Sequence, residues 1–450
     1  MHNKNMINKL YGFANDHIIE IGAILLIIPP LLCLLYIWKY GFNVIYWDEW
    51  EFVPYFQHFF TGQLTFNDLF SLQNEHRIFF PRIIFLIDVV LFHYYTKYIS
   101  YLSWLSLVII LLMLYQTFAS YVKNKKLAMI ELIPVAFILF TFKQWESILF
   151  GQTICSYLSV FGFIAAIYLL NKTDRINITF LCAIVFGVIS TYSYSIGLLT
   201  WPLGLLFILM SKTQNRSRLS VGWSVVGVLA ISIYFYGFHL NPAHPSVLYP
   251  LAHPDKAIAF LLVNVSSLFA LTVYDGLVIG GILFVLLTAV FIILLKNNLV
   301  KKYSLPIILI LFSLGSTGLL LIGRSGFGVG SSLTSRYIHY TLFTIIGLYL
   351  ILVDLLNNKT YNQKLNKAMF IVMISIIAYG VIAGYAIGIQ KGAEIKRTND
   401  EDKYILINYK NMAEEQLLKL YPNVDILKER IKIAEEYRLN VFYDNNSAAL

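Results

Sequence analysis

Apolar segments of roughly 17 to 25 residues with few charges recur along most of the chain. Because a helix of about 20 residues crosses the roughly 30 Å hydrocarbon core of a bilayer, each segment predicts a membrane span. Of the 450 residues, 58% are hydrophobic and 13% are charged, and the latter share is far below the roughly 25% of soluble domains. Ten-residue segments of alternating polarity, which are typical of transmembrane barrels, are not found. The sequence therefore predicts an all-α, polytopic transmembrane protein.

About eleven crossings are predicted. The first, at residues 18–38, contains Pro29 and Pro30 and is too long for a cleavable signal core, so we interpret it as an anchor. Residues 81–95 are apolar but short, and they predict an interfacial or re-entrant helix. The other ten crossings are predicted at residues 99–122, 127–142, 152–170, 178–194, 197–211, 219–238, 273–295, 304–323, 335–356 and 367–389.

The formal charge of +9 does not indicate nucleic-acid binding, because the basic residues form short clusters between apolar segments. With a cytoplasmic N-terminus, all these clusters lie on the cytoplasmic side, as the positive-inside rule requires. The clusters are Lys4/Lys9, Lys123–Lys126, Lys172/Arg175, Lys212/Arg216/Arg218, Lys296/Lys301/Lys302 and Lys359/Lys364/Lys367. This topology predicts a transmembrane domain at 1–389, with a first outer loop at 39–98, and a small extracytoplasmic helical tail at 390–450.

Cysteine and histidine patterns do not support a disulfide scaffold or a metal site. Cys33, Cys155 and Cys182 each lie within an apolar segment. No HEXXH or GXSXG motif occurs, and the histidines of the loop 239–256 are spread among prolines. We therefore predict no metal ligands, no cofactor and no serine-based hydrolysis; a divalent metal has no support from the residues.

The first polar cluster is the sequence YWDEWE, directly after the first span. Asp48, Glu49 and Glu51 repel one another, which raises the pKa of at least one of them and suits a general base. The alternative is an interfacial belt, since Trp47 and Trp50 are typical headgroup anchors.

The second cluster, NEHRIFFPR at residues 74–82, contains Glu75, His76 and Arg77 at a predicted membrane surface. The planar fork of arginine binds two phosphate oxygens at once, so the cluster suits an anionic ligand. An arginine reaching towards lipid headgroups is the alternative interpretation.

Two further clusters fall on the predicted outer side. KQWESILFGQ contains Trp145 and Glu146, for which a structural Lys–Glu pair is the alternative. The loop GRSGFGVGSSLTSR contains four glycines with Arg324 and Arg336. No Gly-Lys-Ser/Thr follows, so the loop is not a P-loop. It fits either a flexible lid whose arginines bind phosphate or a plain connector between helices.

The order WDEW, NEHRIFFPR, QWESILFGQ and SRY resembles that of polyprenyl-phosphate-sugar-dependent membrane glycosyltransferases of the GT-C superfamily. It is similar to the bacterial O-antigen-modifying glucosyltransferases within that group. The resemblance implies a GT-C-like fold with interfacial helices in the first outer loop, and a location in the bacterial inner membrane. Asp48 and Glu49 match the acidic pair of the family.

The resemblance implies an inverting transfer of a sugar, with a hexose expected, from the lipid phosphate to a glycan or lipid-linked glycan acceptor. Asp48 is then the base, and Glu49 orients the acceptor or tunes that base. An upstream donor-synthesising glycosyltransferase and a flippase are the implied partners besides membrane lipid. The expected phosphate contacts are Arg77, Arg324, Arg336 and His76, and the expected sugar or acceptor contacts are Trp47, Trp50, Glu75, Trp145 and Glu146.

Other functions remain open at this point. A flippase for a lipid-linked sugar needs ionisable residues near the bilayer midplane. The only acids inside apolar segments and away from the assigned ends are Asp88 and Asp275, and Asp275 lies near an edge. A polysaccharide polymerase or ligase also grips lipid phosphate, but its large outer loop is expected late in the chain rather than early. A purely structural subunit does not explain why acids and arginines gather on one side.

Overall fold

The computed structural model describes residues 18–121, 125–211, 213–242, 244–357 and 362–444. Within these ranges the regular secondary structure is helical, apart from one two-stranded hairpin. Part of the predicted charge bias falls on residues outside the described ranges, namely Lys4, Lys9, Lys123, Lys212 and Lys359.

The α-helices are α1 Ile18–Tyr40, α2 Val53–Phe60, α3 Phe66–Phe70, α4 Phe79–Phe92, α5 Lys97–Tyr121, α6 Lys125–Glu131, α7 Ile133–Leu139, α8 Trp145–Leu149, α9 Ile154–Leu170, α10 Ile178–Thr191, α11 Thr200–Met210, α12 Arg216–Phe235, α13 Tyr249–Ala252, α14 Pro254–Val265, α15 Val273–Lys296, α16 Ser304–Arg324, α17 Ile338–Asn357, α18 Gln363–Ile407, α19 Glu414–Leu417, α20 Val424–Glu436 and α21 Val441–Asp444. The antiparallel strands are β1 Leu72–Gln73 and β2 His76–Arg77. Short 3-10 helices lie at Trp47–Phe52, Phe142–Gln144, Gly151–Thr153, Ser195–Leu199, Ser325–Phe327, Val329–Leu333, Ser335–Tyr337 and Tyr409–Asn411.

Nine helical segments of the described chain are long and apolar enough to cross a membrane. They confirm an all-α, multi-pass membrane protein in this general form. The other two predicted crossings coincide with shorter apolar helices, Ile178–Thr191 and Ser195–Met210. A 14-residue helix is roughly 21 Å long, less than the hydrocarbon thickness, so the number eleven stays a prediction. Helix α4, also of 14 residues, is not among the nine.

The contacts divide the chain into two compact units, each built from interleaved segments. The first unit comprises Met1–Leu35, Leu107–Lys143 and Leu248–Tyr385, and the second comprises Tyr36–Ser106, Gln144–Val247 and Ala386–Leu450. In the first unit, α17 is buried along its length and packs against α16. Gly347 allows this close packing, because a Cβ there would lie 2.6 Å from the carbonyl oxygen of Pro306.

In the second unit, helices α9 and α10 pack against each other. Their hydroxyls bond across the helix pair: Ser159 donates to the carbonyl of Ser190 at 2.9 Å, and Ser190 donates to that of Ser159 at 2.7 Å. Such small polar residues allow close approach of apolar helices. Helix α18 continues past residue 389, where a span was predicted to end, and it ends at Ile407. Beyond it, Pro422 lies between α19 and α20.

Candidate functional site

The first outer loop begins with a 3-10 helix, Trp47–Phe52, which we call the acidic helix. Its start is stabilised by Glu49, whose carboxylate accepts the backbone N–H of Tyr46 at 3.2 Å. Trp50 and Phe52 point into the second unit, whereas Trp47 and Asp48 are exposed. The helix therefore presents Asp48 outwards and Glu49 inwards, although the two residues are adjacent in sequence.

The three carboxylates of the acidic helix lie in three different environments. Asp48 is exposed. Glu49 is only 1% exposed and accepts backbone N–H groups from Tyr46 and, at 3.3 Å, from Gln152. Glu51 accepts two hydrogen bonds from the guanidinium of Arg430, at 2.9 and 3.0 Å, and a third from the Tyr421 hydroxyl. Glu51 is therefore held by an ion pair, which leaves Asp48 and Glu49 as candidates for chemistry.

Burial raises the pKa of Glu49 to about 8, and the nearby charges of Asp88 and Asp48 act in the same direction. The two backbone hydrogen bonds oppose this shift but do not overcome the loss of hydration. Near neutral pH the protonated form of Glu49 is therefore favoured. Glu49 is neutral and buried, and Asp48 next to it is exposed. Enzymes that use two neighbouring carboxyl groups as acid and base place them in similarly different environments.

A second buried carboxyl group lies on α4. Asp88 is 4% exposed, and burial raises its pKa to about 7. The pKa of Tyr94 is raised well above its usual value, first by burial and then by the charges of Glu49 and Asp88. Among the described residues, Asp88 Oδ2 and the Tyr94 hydroxyl have no hydrogen-bond partner. Glu49, Asp88 and Tyr94 are therefore buried polar groups close to one another. Because burying such groups costs free energy, they often mark a functional site.

The arginines of NEHRIFFPR bind backbone carbonyls. Arg77 donates from Nε to Tyr234 at 2.7 Å, from Nη1 to Phe70 at 2.7 Å, and from Nη2 to Tyr236. Arg82 donates from Nη1 to the carbonyl oxygens of Leu69 and Ser71. These contacts fix the β1–β2 hairpin against the end of α12. Three of the five N–H donors of Arg77 are thus used, and phosphate binding by Arg77 stays a prediction.

The tip of the same hairpin is held by a second set of contacts. Glu75 pairs with His244 and accepts the backbone N–H of Asn241 at 3.1 Å. The His76 ring stacks on Tyr194, with a centroid distance of 3.8 Å. Both sets include contacts that join residues 74–77 to segments more than 100 residues later in the chain, and sequence patterns give no sign of these contacts.

The expected site residues fall into two groups. Trp47, Asp48, Glu49, Trp50, Glu75, His76, Arg77, Trp145 and Glu146 all belong to the second unit. Trp145 and Glu146 are half-buried at the start of α8. Arg324 and Arg336 belong to the first unit, where they lie over the rings of Phe327 and Tyr337 at 5.8 and 5.5 Å. The side chain of Arg336 is exposed.

Sequence reasoning missed several residues of this region. Arg430 and Tyr421, which hold Glu51, come from the tail 390–450, for which the sequence predicts no role, and no motif in the sequence marks Tyr94. A signal existed for Arg430: its helix α20 has apolar residues at 427, 431 and 434, the spacing of a helix that packs on another surface. Asp88, near Tyr94 in sequence, is recognisable only as an acid within an apolar segment.

Within the described ranges, no group of three or more His, Cys, Asp or Glu residues could hold a metal ion. Comparisons of the chain with protein-family models, with curated proteins and with solved structures gave no match.

Proposed function

We propose that this protein is a membrane glycosyltransferase that moves a sugar from a polyprenyl-phosphate donor to a glycan or lipid-linked glycan acceptor. The reaction takes place on the extracytoplasmic side. The main support is the acidic helix, where an exposed carboxylate, Asp48, lies next to a buried carboxyl group, Glu49, whose pKa is about 8. Adjacent carboxyl groups in such unequal environments are typical of catalytic sites.

In this mechanism, Asp48 accepts the proton of the acceptor hydroxyl as its oxygen attacks the anomeric carbon. The bond between that carbon and the phosphate oxygen breaks, and the lipid phosphate leaves with the bonding electron pair. Arginine side chains stabilise the negative charge that develops on the phosphate. A single displacement inverts the configuration at the anomeric carbon. Because the donor is already activated, no nucleotide is needed.

Mass analysis of the surface polysaccharide, from cells with and without this protein, tests the proposal. We expect a difference of one hexose per repeating unit. A shorter or absent polymer would instead indicate a polymerase or ligase. Unchanged glycan together with altered distribution of the lipid-linked sugar across the membrane would indicate a flippase.

The Arg336→Ala variant is expected to bind the lipid-phosphate donor about 10- to 150-fold more weakly, since a hydrogen bond between charged groups contributes about 1.5–3 kcal/mol. The apparent donor KM of membranes that contain the variant measures this effect. Lys301→Ala is the matched control, because Lys301 is an exposed cation of the same unit on the predicted cytoplasmic side. An unchanged donor KM in Arg336→Ala would remove Arg336 from the phosphate site.

A further inference from the structure

Strained backbone marks both ends of the first outer loop. Trp47, at the start of the acidic helix, has φ of 46°, and the successive residues His93 and Tyr94, after α4, have φ of 53° and 63°. Residues with a Cβ rarely adopt this left-handed conformation, because the Cβ then lies too close to the backbone. Such residues persist only where the surrounding structure holds them, so the contacts of these three residues are informative.

All three strained residues are held by one segment, residues 413–444, which we call the C-terminal segment. The backbone N–H of Trp47 donates to the carbonyl of Leu420 at 3.0 Å. The backbone N–H of Asn440 donates to the carbonyl of His93 at 2.6 Å, and its side-chain amide donates to that of Tyr94 at 2.7 Å. The His93 ring also stacks on Tyr443, with a centroid distance of 3.8 Å.

Between these two points, the C-terminal segment is fixed by an ion pair and by packing. Arg430 binds Glu51 through both terminal nitrogens, a geometry that gives arginine pairs their strength. Helix α20 packs on α2, and the rings of Phe60 and Tyr437 stack at 4.9 Å. Every one of these contacts lies within the second unit.

We propose that the C-terminal segment is a clasp that holds the acidic helix and the end of α4 in their working geometry. Arg430 and Asn440 are its positioning residues. Through these contacts the clasp determines where Asp48 and Glu49 lie relative to Asp88 and Tyr94. The catalytic consequence rests on the proposed transferase function, whereas the structural consequence does not.

Hydrogen–deuterium exchange of the full-length protein in lipid nanodiscs tests the clasp directly. In Arg430→Ala, amide exchange of residues 47–52 is expected to become at least about tenfold faster, the change that corresponds to about 1.4 kcal/mol. In Asn440→Ala, the faster exchange is expected at residues 92–95. Lys432→Ala is the control, because Lys432 is exposed on the same helix as Arg430, and it should leave both regions at the wild-type rate.

The charge exchange Glu51→Arg with Arg430→Glu separates positioning from loss of fold. The double variant should restore slow exchange at residues 47–52 and recover sugar transfer relative to Arg430→Ala. Unchanged exchange of residues 47–52 in Arg430→Ala, or no recovery in the double variant, would overturn the clasp. If the wild-type protein transfers no sugar but the variants show the expected changes in exchange, the proposed function is refuted and the clasp stands.

Discussion

In the Asp48→Asn variant, sugar transfer is expected to fall about 10²- to 10⁴-fold, the range that a general base contributes. Asparagine has nearly the same size as aspartate but cannot accept the proton of the acceptor hydroxyl. Because Asp48 is exposed, the substitution should leave folding and membrane insertion unchanged. The rate of hexose incorporation, in membranes from cells that make the acceptor glycan, measures the effect.

The control for this experiment is Glu429→Gln, which neutralises an exposed carboxylate on α20 of the same unit. It should transfer sugar at the wild-type rate. Glu49→Gln provides the sharper comparison, because glutamine resembles the protonated carboxyl group that burial favours at position 49. If Asp48→Asn retains full activity and Glu49→Gln loses it, the base is Glu49 and not Asp48.

The helical, multi-pass architecture follows from the sequence because hydrocarbon thickness imposes one length on every span. Helices such as α15 and α16 lie close to the predicted segments 273–295 and 304–323. The end of α18 was not predictable in the same way. Polar residues such as Lys391 and Glu394 continue the helix beyond the apolar segment, because a helix in water needs no apolar sequence.

The site was predictable only in part. The YWDEWE motif indicated carboxylates of unequal pKa, since adjacent acids repel, but not which of them is buried. That depends on contacts distant in sequence, such as the backbone N–H of Gln152 near Glu49 and the guanidinium of Arg430 near Glu51. Local patterns do not encode such long-range pairs. The same limit explains why the hairpin contacts of Arg77 with the end of α12 were not foreseen.

One of these long-range contacts bears on topology. The hydrogen bond between Trp47 and Leu420 places the acidic helix and the C-terminal segment on the same side of the membrane. We therefore expect the chain to cross the membrane an even number of times between them, and an odd number of times once α1 is included. Nine and eleven spans both satisfy this condition, and ten do not.

The stability of the wild-type protein, relative to Glu49→Gln, is expected to fall as the pH rises from about 4.5 to about 8. Below this window Glu49 is protonated in both the folded and the unfolded chain, so pH has no effect through this group. Within it, the unfolded chain has lost the proton while the folded protein still retains it. Rising pH therefore favours unfolding, and above about pH 8 the difference becomes constant.

A pKa shift from 4.5 to about 8 corresponds to a free-energy difference of about 5 kcal/mol at high pH, an upper value for this buried group. Glutamine has no charge to bury, but its amide nitrogen cannot accept one of the two backbone N–H groups that the Glu49 oxygens accept, which costs the variant the same amount of stability at every pH. Relative to wild type, the unfolding temperature of Glu49→Gln should therefore rise between pH 4.5 and about pH 8. Towards pH 4.5 the difference between the two midpoints should reach a constant value set by this lost hydrogen bond. Asp88 is present in both proteins, so most of its own contribution cancels in the difference.

Thermal unfolding in detergent between pH 4.5 and 9, with Glu429→Gln as the surface control, measures the effect. A difference that stays constant across this range would mean that Glu49 is ionised in the folded protein, and its neutral role beside Asp48 would have to be abandoned.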